Sequence, residues 1–279
     1  MIEIFVSSLL GLLVVGMLLS STLLNRNLFN RDLVVSRINE NVRGSIDILS
    51  INARLAGENL GNSFPAIEMS NGAAGATDTV IFRRNLLSEV LPVCVSLAAG
   101  SNSFAYFANG GTTAGCTYAT QTSSYNAWRN YRIGKGGTTD AYIFNFATKQ
   151  GEFFTYTSET NTGTAYYLSR SGNWLYAYPS ASSSLYMLEE WKFDLSAQTL
   201  RLVVNQNNAN PQTLAFDVID FQSLFALKDG TTTTTFTAAN DWTKIASIAI
   251  DLKGRGRFFG NDYDKTFSTR IFPRNILSN

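Results

Sequence analysis

Hydrophobic positions along this chain change their spacing twice, and each change marks a different kind of element. Residues 4–24 carry no charge. A helix of that length spans roughly 32 Å, enough to cross a hydrocarbon core. A secretory signal peptide would open with a basic region, and Met1-Ile2-Glu3 does not supply one. Further on, Val35, Ile38, Val42, Ile46, Leu49, Ala53, Ala56 and Leu60 follow at steps of three or four, the spacing of one apolar helical stripe. Arg37, Glu40, Arg43, Asp47, Arg54 and Glu58 occupy the other faces. Gly61, with Pro65 just beyond it, reads as the stop. Residues 2–60 therefore read as one nearly continuous helix, apolar all round in its first half and amphipathic in its second, with residues 25–30 as the place for a bend.

After Gly61 the spacing shortens to runs of Val, Ile, Phe, Tyr and Thr between Gly, Asn and Ser clusters, which are strand and turn signals. The runs lie at 79–83, 90–98, 103–107, 140–147, 152–157, 165–169, 174–178, 185–193, 200–205, 214–226, 244–252 and 266–272. Alternation is clearest at Ile248, Ile250 and Leu252. Hardly any helical period separates the strands, so a mostly antiparallel sheet is expected. Residues 231–235 read as a flexible loop.

Composition narrows the chemistry. The chain has 279 residues, 22 basic and 21 acidic, for a formal charge of +1, so bulk attraction to polyphosphate has no support. It has no histidine, which removes the usual general base and the commonest metal ligand. We expect no enzyme, no cofactor and no metal. Gly134-Lys135-Gly136-Gly137-Thr138 lacks the Ser or Thr after lysine that a phosphate loop needs, and reads as a hairpin turn. Close carboxylates at Glu189 and Glu190, Asp217 and Asp220, and Asp262 and Asp264 are too loosely spaced for acid–base work, although residues 261–264 have a faint calcium-loop character.

Cys94 and Cys116 are the only cysteines. Outside the cytoplasm they would form a disulfide, closing a loop of about 23 residues and stabilising by about 3 kcal/mol. Two reduced core cysteines are the alternative, or a metal site, which without histidine would need carboxylates to complete its shell. Eleven of the twelve tyrosines lie between Tyr106 and Tyr186. With Trp128 and Trp174 and scattered arginines they could form a stacking platform for a glycan or single-stranded nucleic acid, or simply pack the strands.

Glu3 is costly near the start of a spanning helix. Met1-Ile2-Glu3-Ile4 opening a long apolar helix resembles the start of mature type IV pilins and pseudopilins. Asn39-Glu40-Asn41-Val42-Arg43, Ile46-Asp47-Ile48-Leu49 and Arg54-Leu55-Ala56-Gly57 are similar to the second half of that helix in PilW-like minor pilins. Residues 218–222, 241–252 and 266–275 are similar to the closing segments of PilW-like proteins. Family members place the glutamate fifth after a cleaved leader ending in glycine, and here it is third. A basic leader would also offset Arg26, Arg31 and Arg37, which otherwise draw the C-terminal part to the cytoplasm.

The resemblance implies an α+β, pilin-like fold: residues 1–61 a helix, with 4–24 as transmembrane and filament core and 25–61 amphipathic, packed on an antiparallel β-rich head of residues 62–279. It further implies a noncatalytic minor pilin, held in the inner membrane with a periplasmic head and later part of an extracellular pilus, at or near the tip. Its partners would be other major and minor pilins through the helix, and the assembly platform, with Glu3 compensated by a neighbour's amino terminus. A pseudopilin of a type II secretion or DNA-uptake machine shares all these features. A membrane-anchored adhesin binding glycan or DNA through the head is the alternative of another class.

Overall fold

The computed structural model describes residues 2–101, 104–110, 115–258 and 260–276, and the side chains of all of these except residues 2–5 and 74. Helix α1 is Ile2–Leu55, continuous through residues 25–30. Its second half buries Ile38, Val42, Ser45, Leu49 and Ala53, with Ala56 just beyond its end, while Arg37, Arg43, Asp47 and Arg54 stay exposed. The helix ends before the expected stop because Gly57, with φ 82°, breaks it. A Cβ at Gly57 would lie 2.2 Å from Trp242 Cη2, so only glycine lets the chain turn under that indole.

The strands that follow are β1 (Ile67–Ser70), β2 (Thr79–Asn85), β3 (Leu91–Pro92) and β4 (Phe104–Ala108). Helix α2 (Thr122–Gly134) precedes β5 (Thr139–Asn145), β6 (Gln150–Asn161), β7 (Tyr166–Arg170) and β8 (Ser183–Tyr186). The chain closes with β9 (Leu188–Ser196), β10 (Thr199–Val204), β11 (Gln212–Ala215), β12 (Val218–Leu227), β13 (Thr232–Thr233), β14 (Ile245–Phe258) and β15 (Asn261–Ile271). They form three sheets, in the orders β1-β2-β9-β10-β11, β13-β12-β14-β15 and β3-β8-β5-β6-β7-β4. Every pairing is antiparallel. The layout is thus α+β, one long apolar helix with a large antiparallel region.

Two cores result. The first joins the amphipathic half of α1 to the five-stranded and four-stranded sheets. The second lies between the six-stranded sheet and α2 around Trp128, Tyr156, Trp174 and Tyr178. Strand β5 is their common wall, for Tyr142 and Phe144 face the first core and Ala141 and Ile143 the second.

Several local expectations are corrected. Residues 122–134 are helical, and Gly136 (φ 91°) and Gly137 (φ 101°) make a helix-to-strand turn rather than a hairpin. Residues 174–178 are irregular chain whose Trp174 and Tyr178 point inward. The run 185–193 divides at Met187 between two sheets, and part of 231–235 pairs with β12 as β13.

Candidate functional site

Every described residue from 6 to 29 is exposed. Leu12 is 75% and Met17 71% accessible, which is untenable in water for a run without charge and is the state of a helix awaiting lipid or other helices. By length and composition the helix could cross a membrane. Leu9, Leu13, Gly16, Ser20 and Leu24 share one face at steps of three and four, and they line a groove of about 1010 Å³. Gly16 and Ser20 are small residues of the kind found where helices approach one another closely.

The head holds the helix from residue 24 onward. The inward positions of β14 read Ile248, Ile250, Leu252, Gly254 and Gly256, so side chains shrink toward the tip of the β14–β15 hairpin. A Cβ at Gly254 would lie 2.6 Å from Ile38 Cγ2, and one at Gly256 2.3 Å from Val34 Cγ1. Helix and strand therefore touch almost backbone to side chain. Beyond them Phe258, Asn261 and Tyr263 meet Leu24, Asn27, Leu28 and Arg31 in a cleft of about 240 Å³, with the Arg31 guanidinium 5.8 Å from the Tyr263 ring centroid. The tip of the β14–β15 hairpin thus sits where the uncharged run ends.

That hairpin also accounts for the carboxylates at its tip. Asp262 and Asp264 accept from Arg257 and Arg255 at 2.7 Å, and Lys253 lies 2.9 Å from Asp264. These hydrogen bonds hold both carboxyls below the usual range, Asp264 mainly through Arg255 and Asp262 mainly through Arg257. Residues 261–264 are strand, not a calcium loop, and among the described residues no three His, Cys, Asp or Glu side chains cluster to hold a metal. Glu189 pairs with Arg84 at 2.8 Å. Glu190 meets the buried Arg83 Nε at 2.6 Å, and Arg83 also binds Glu68 and the Pro65 carbonyl. Burial alone would lower the Arg83 pKa, but Glu190 and Glu68 outweigh it and raise it. Asp217 lies in the turn between β11 and β12 with φ 56°.

Trp128 and Trp174 do not form an exposed platform. Their exposures are 0% and 2%. Trp128 Nε1 donates to the Glu89 carbonyl at 2.9 Å and its ring packs 5.9 Å from Tyr156. Trp174 is wedged between Phe154 and Tyr178, with the Arg170 guanidinium 4.4 Å from its centroid. Their large apolar area explains the burial, since in this head it closes the second core. On the opposite face of the six-stranded sheet, Phe104 is exposed and Tyr106 and Tyr167 are half-buried, with Phe104 and Tyr167 centroids 5.5 Å apart.

Cys94 and Cys116 are joined in a disulfide. It brackets β4, whose Tyr106 carbonyl accepts from Cys94 N at 2.7 Å. The backbone of Glu3 belongs to α1, while its side chain lies outside the described residues. Compared with protein-family models, with curated proteins and with solved structures, the chain matches none.

Proposed function

We propose that the protein is a PilW-like minor pilin, a noncatalytic subunit that helps to start assembly of a type IV pilus and sits at or near its tip. The observation that carries this reading is the division of one continuous helix. Residues 6–23 stand clear of the head and are apolar on every side, while residues 34–56 are clamped by two sheets. A plain anchor needs no such rigid continuation; a subunit that transfers its helix from lipid to a helical bundle does. In the bundle the groove at Gly16 and Ser20 receives a neighbouring helix, and Glu3 meets the amino terminus of an adjacent subunit.

The head is large for a filament position. Compact scaling gives it a diameter on the order of 45 Å, whereas packed helices lie about 8–10 Å apart. Such heads crowd one another along a shaft but not at an end. The inner membrane holds the subunit before assembly, its head periplasmic, where the disulfide is stable.

The test is Glu3→Ala in native cells. The variant should remain membrane-bound at the wild-type amount yet fall at least tenfold in sheared pili. Immunogold should mark one pilus end with the wild-type protein. Wild-type incorporation of the alanine variant, or even decoration along the shaft, would refute the reading.

A further inference from the structure

The six-stranded sheet is covered on its α2 side along its length, but its other face is covered by the first core only near β5 and β8. From Thr155 outward that face is open. A bulge between Tyr156 and Ser158 turns Ser158 and Thr160 to the solvent and sends Glu159 inward to Arg132. Register then builds two rows across three strands. Ser158 lies opposite Ser169 and Ser169 opposite Phe104; Thr160 lies opposite Tyr167 and Tyr167 opposite Tyr106. Each row runs from hydroxyl to ring. The Tyr106 and Tyr167 centroids are 5.2 Å apart, and Phe104 is 40% exposed at the rim.

Four residues along β7, about 13 Å at the usual strand rise, the face meets a cleft of about 370 Å³. Asn205 and Asn207 wall it from the five-stranded sheet, opposite Ser171, and Asn205 Nδ2 donates to Asp140 at 3.2 Å.

The two rows contain no acid and no base. Glu159 is turned away to Arg132 at 2.7 Å, and the charged residues that line the cleft are already engaged, Arg170 by Glu152 at 3.1 Å and Asp140 by Asn205. A nucleic-acid surface needs cations for phosphates, and serine, which fills two positions of one row, is depleted at protein-docking surfaces, where arginine, absent from both rows, is enriched. Hydroxyls that both donate and accept, beside ring faces that pack against C–H groups, match an uncharged sugar chain in polarity and in charge.

We infer that the outward face of β6, β7 and β4 binds an uncharged oligosaccharide lying along β7 toward the Asn205 cleft. The inference is independent of how α1 is used.

The full chain in detergent micelles is titrated calorimetrically with neutral hexasaccharides of β-1,4-glucose, β-1,4-N-acetylglucosamine, α-1,4-glucose and α-mannose, and with oligothymidylate. At least one hexasaccharide should bind. Tyr167→Ala should weaken it about tenfold, and Thr160→Ala should weaken it less. Phe272→Ala, just past the end of β15, should leave it unchanged. Because Tyr167→Ala could loosen β7, Tyr167→Phe is measured too: it keeps the ring and should lose only part of the affinity. Absence of binding to all four sugars at millimolar concentration overturns the inference. So does sugar binding unmoved by the Tyr167 and Thr160 variants, or oligothymidylate binding that those variants abolish.

Discussion

Val34 fills the space that a side chain on Gly256 would need, its Cγ1 lying 2.3 Å from where a Cβ would be. Ile38 stands in the same relation to Gly254. Valine on a helix has little rotamer freedom, so the contact cannot relax by side-chain motion alone.

Gly256→Ala should therefore push α1 off β14 and cost about 1–3 kcal/mol, the usual cost of overpacking. Val34→Ala in the same chain should recover most of the loss, since the two changes share one contact. Denaturant unfolding of the single and double variants in detergent gives the coupling. Additive losses would show that the contact is not the cause.

Glu159 should make the second core acid-sensitive. Burial alone would raise its pKa, but hydrogen bonds from Arg132 and Tyr156 outweigh that and hold the carboxyl below its ordinary 4.5. A lowered folded-state value contributes stability that is present above the ordinary value and lost as pH falls through the folded one. Glu159→Gln should cost about 1–2 kcal/mol at neutral pH. The gap to wild type should close below pH 4.5, as thermal unfolding across that range would record.

Opening the disulfide should act on one edge of the head. Cys94→Ser with Cys116→Ser should lower stability by about 3 kcal/mol in the chain-entropy account. Amide exchange should quicken first in β4, which the bridge brackets, while β14 keeps its protection. Uniform acceleration would mean that the bridge steadies the whole head.

Removal of residues 1–24 should leave a soluble protein with the same strand signature in far-ultraviolet dichroism. The clamp on α1 begins at Leu24 and its buried stripe at Ile38, so no core contact is deleted. Aggregation on gel filtration would place the boundary further along the chain.

The long helix and its buried stripe were legible because a period of 3.6 over many turns has few competing readings. The strand at Ile248, Ile250 and Leu252 was legible for the same reason at period two, and all three side chains are fully buried. Helix α2 was not, although Tyr125, Trp128 and Tyr131 recur at helical spacing, because aromatics beside Ser and Thr also mark strands. The break at Met187 was invisible: strands buried on both faces read as one apolar run, and nothing in such a run says where the chain changes sheets. Among the aromatics, Trp128 and Trp174 were expected in a platform with the clustered tyrosines, but their large apolar area favours burial. The pairing register that sets Ser158 and Thr160 beside Ser169 and Tyr167 depends on a bulge that leaves no mark in composition. Gly254 and Gly256 did leave one, as glycines continuing the inward series of β14.

The shared wall at β5 limits where this head can change. A slip of one residue would exchange Tyr142 and Phe144 for Ala141 and Ile143 in both cores at once. No seam exists there along which the α2 lobe could be excised or grafted. The rim of β6, β7 and β4 is under no such restraint: its outward side chains belong to neither core, so they can be refashioned position by position while the grip on the helix stays as it is.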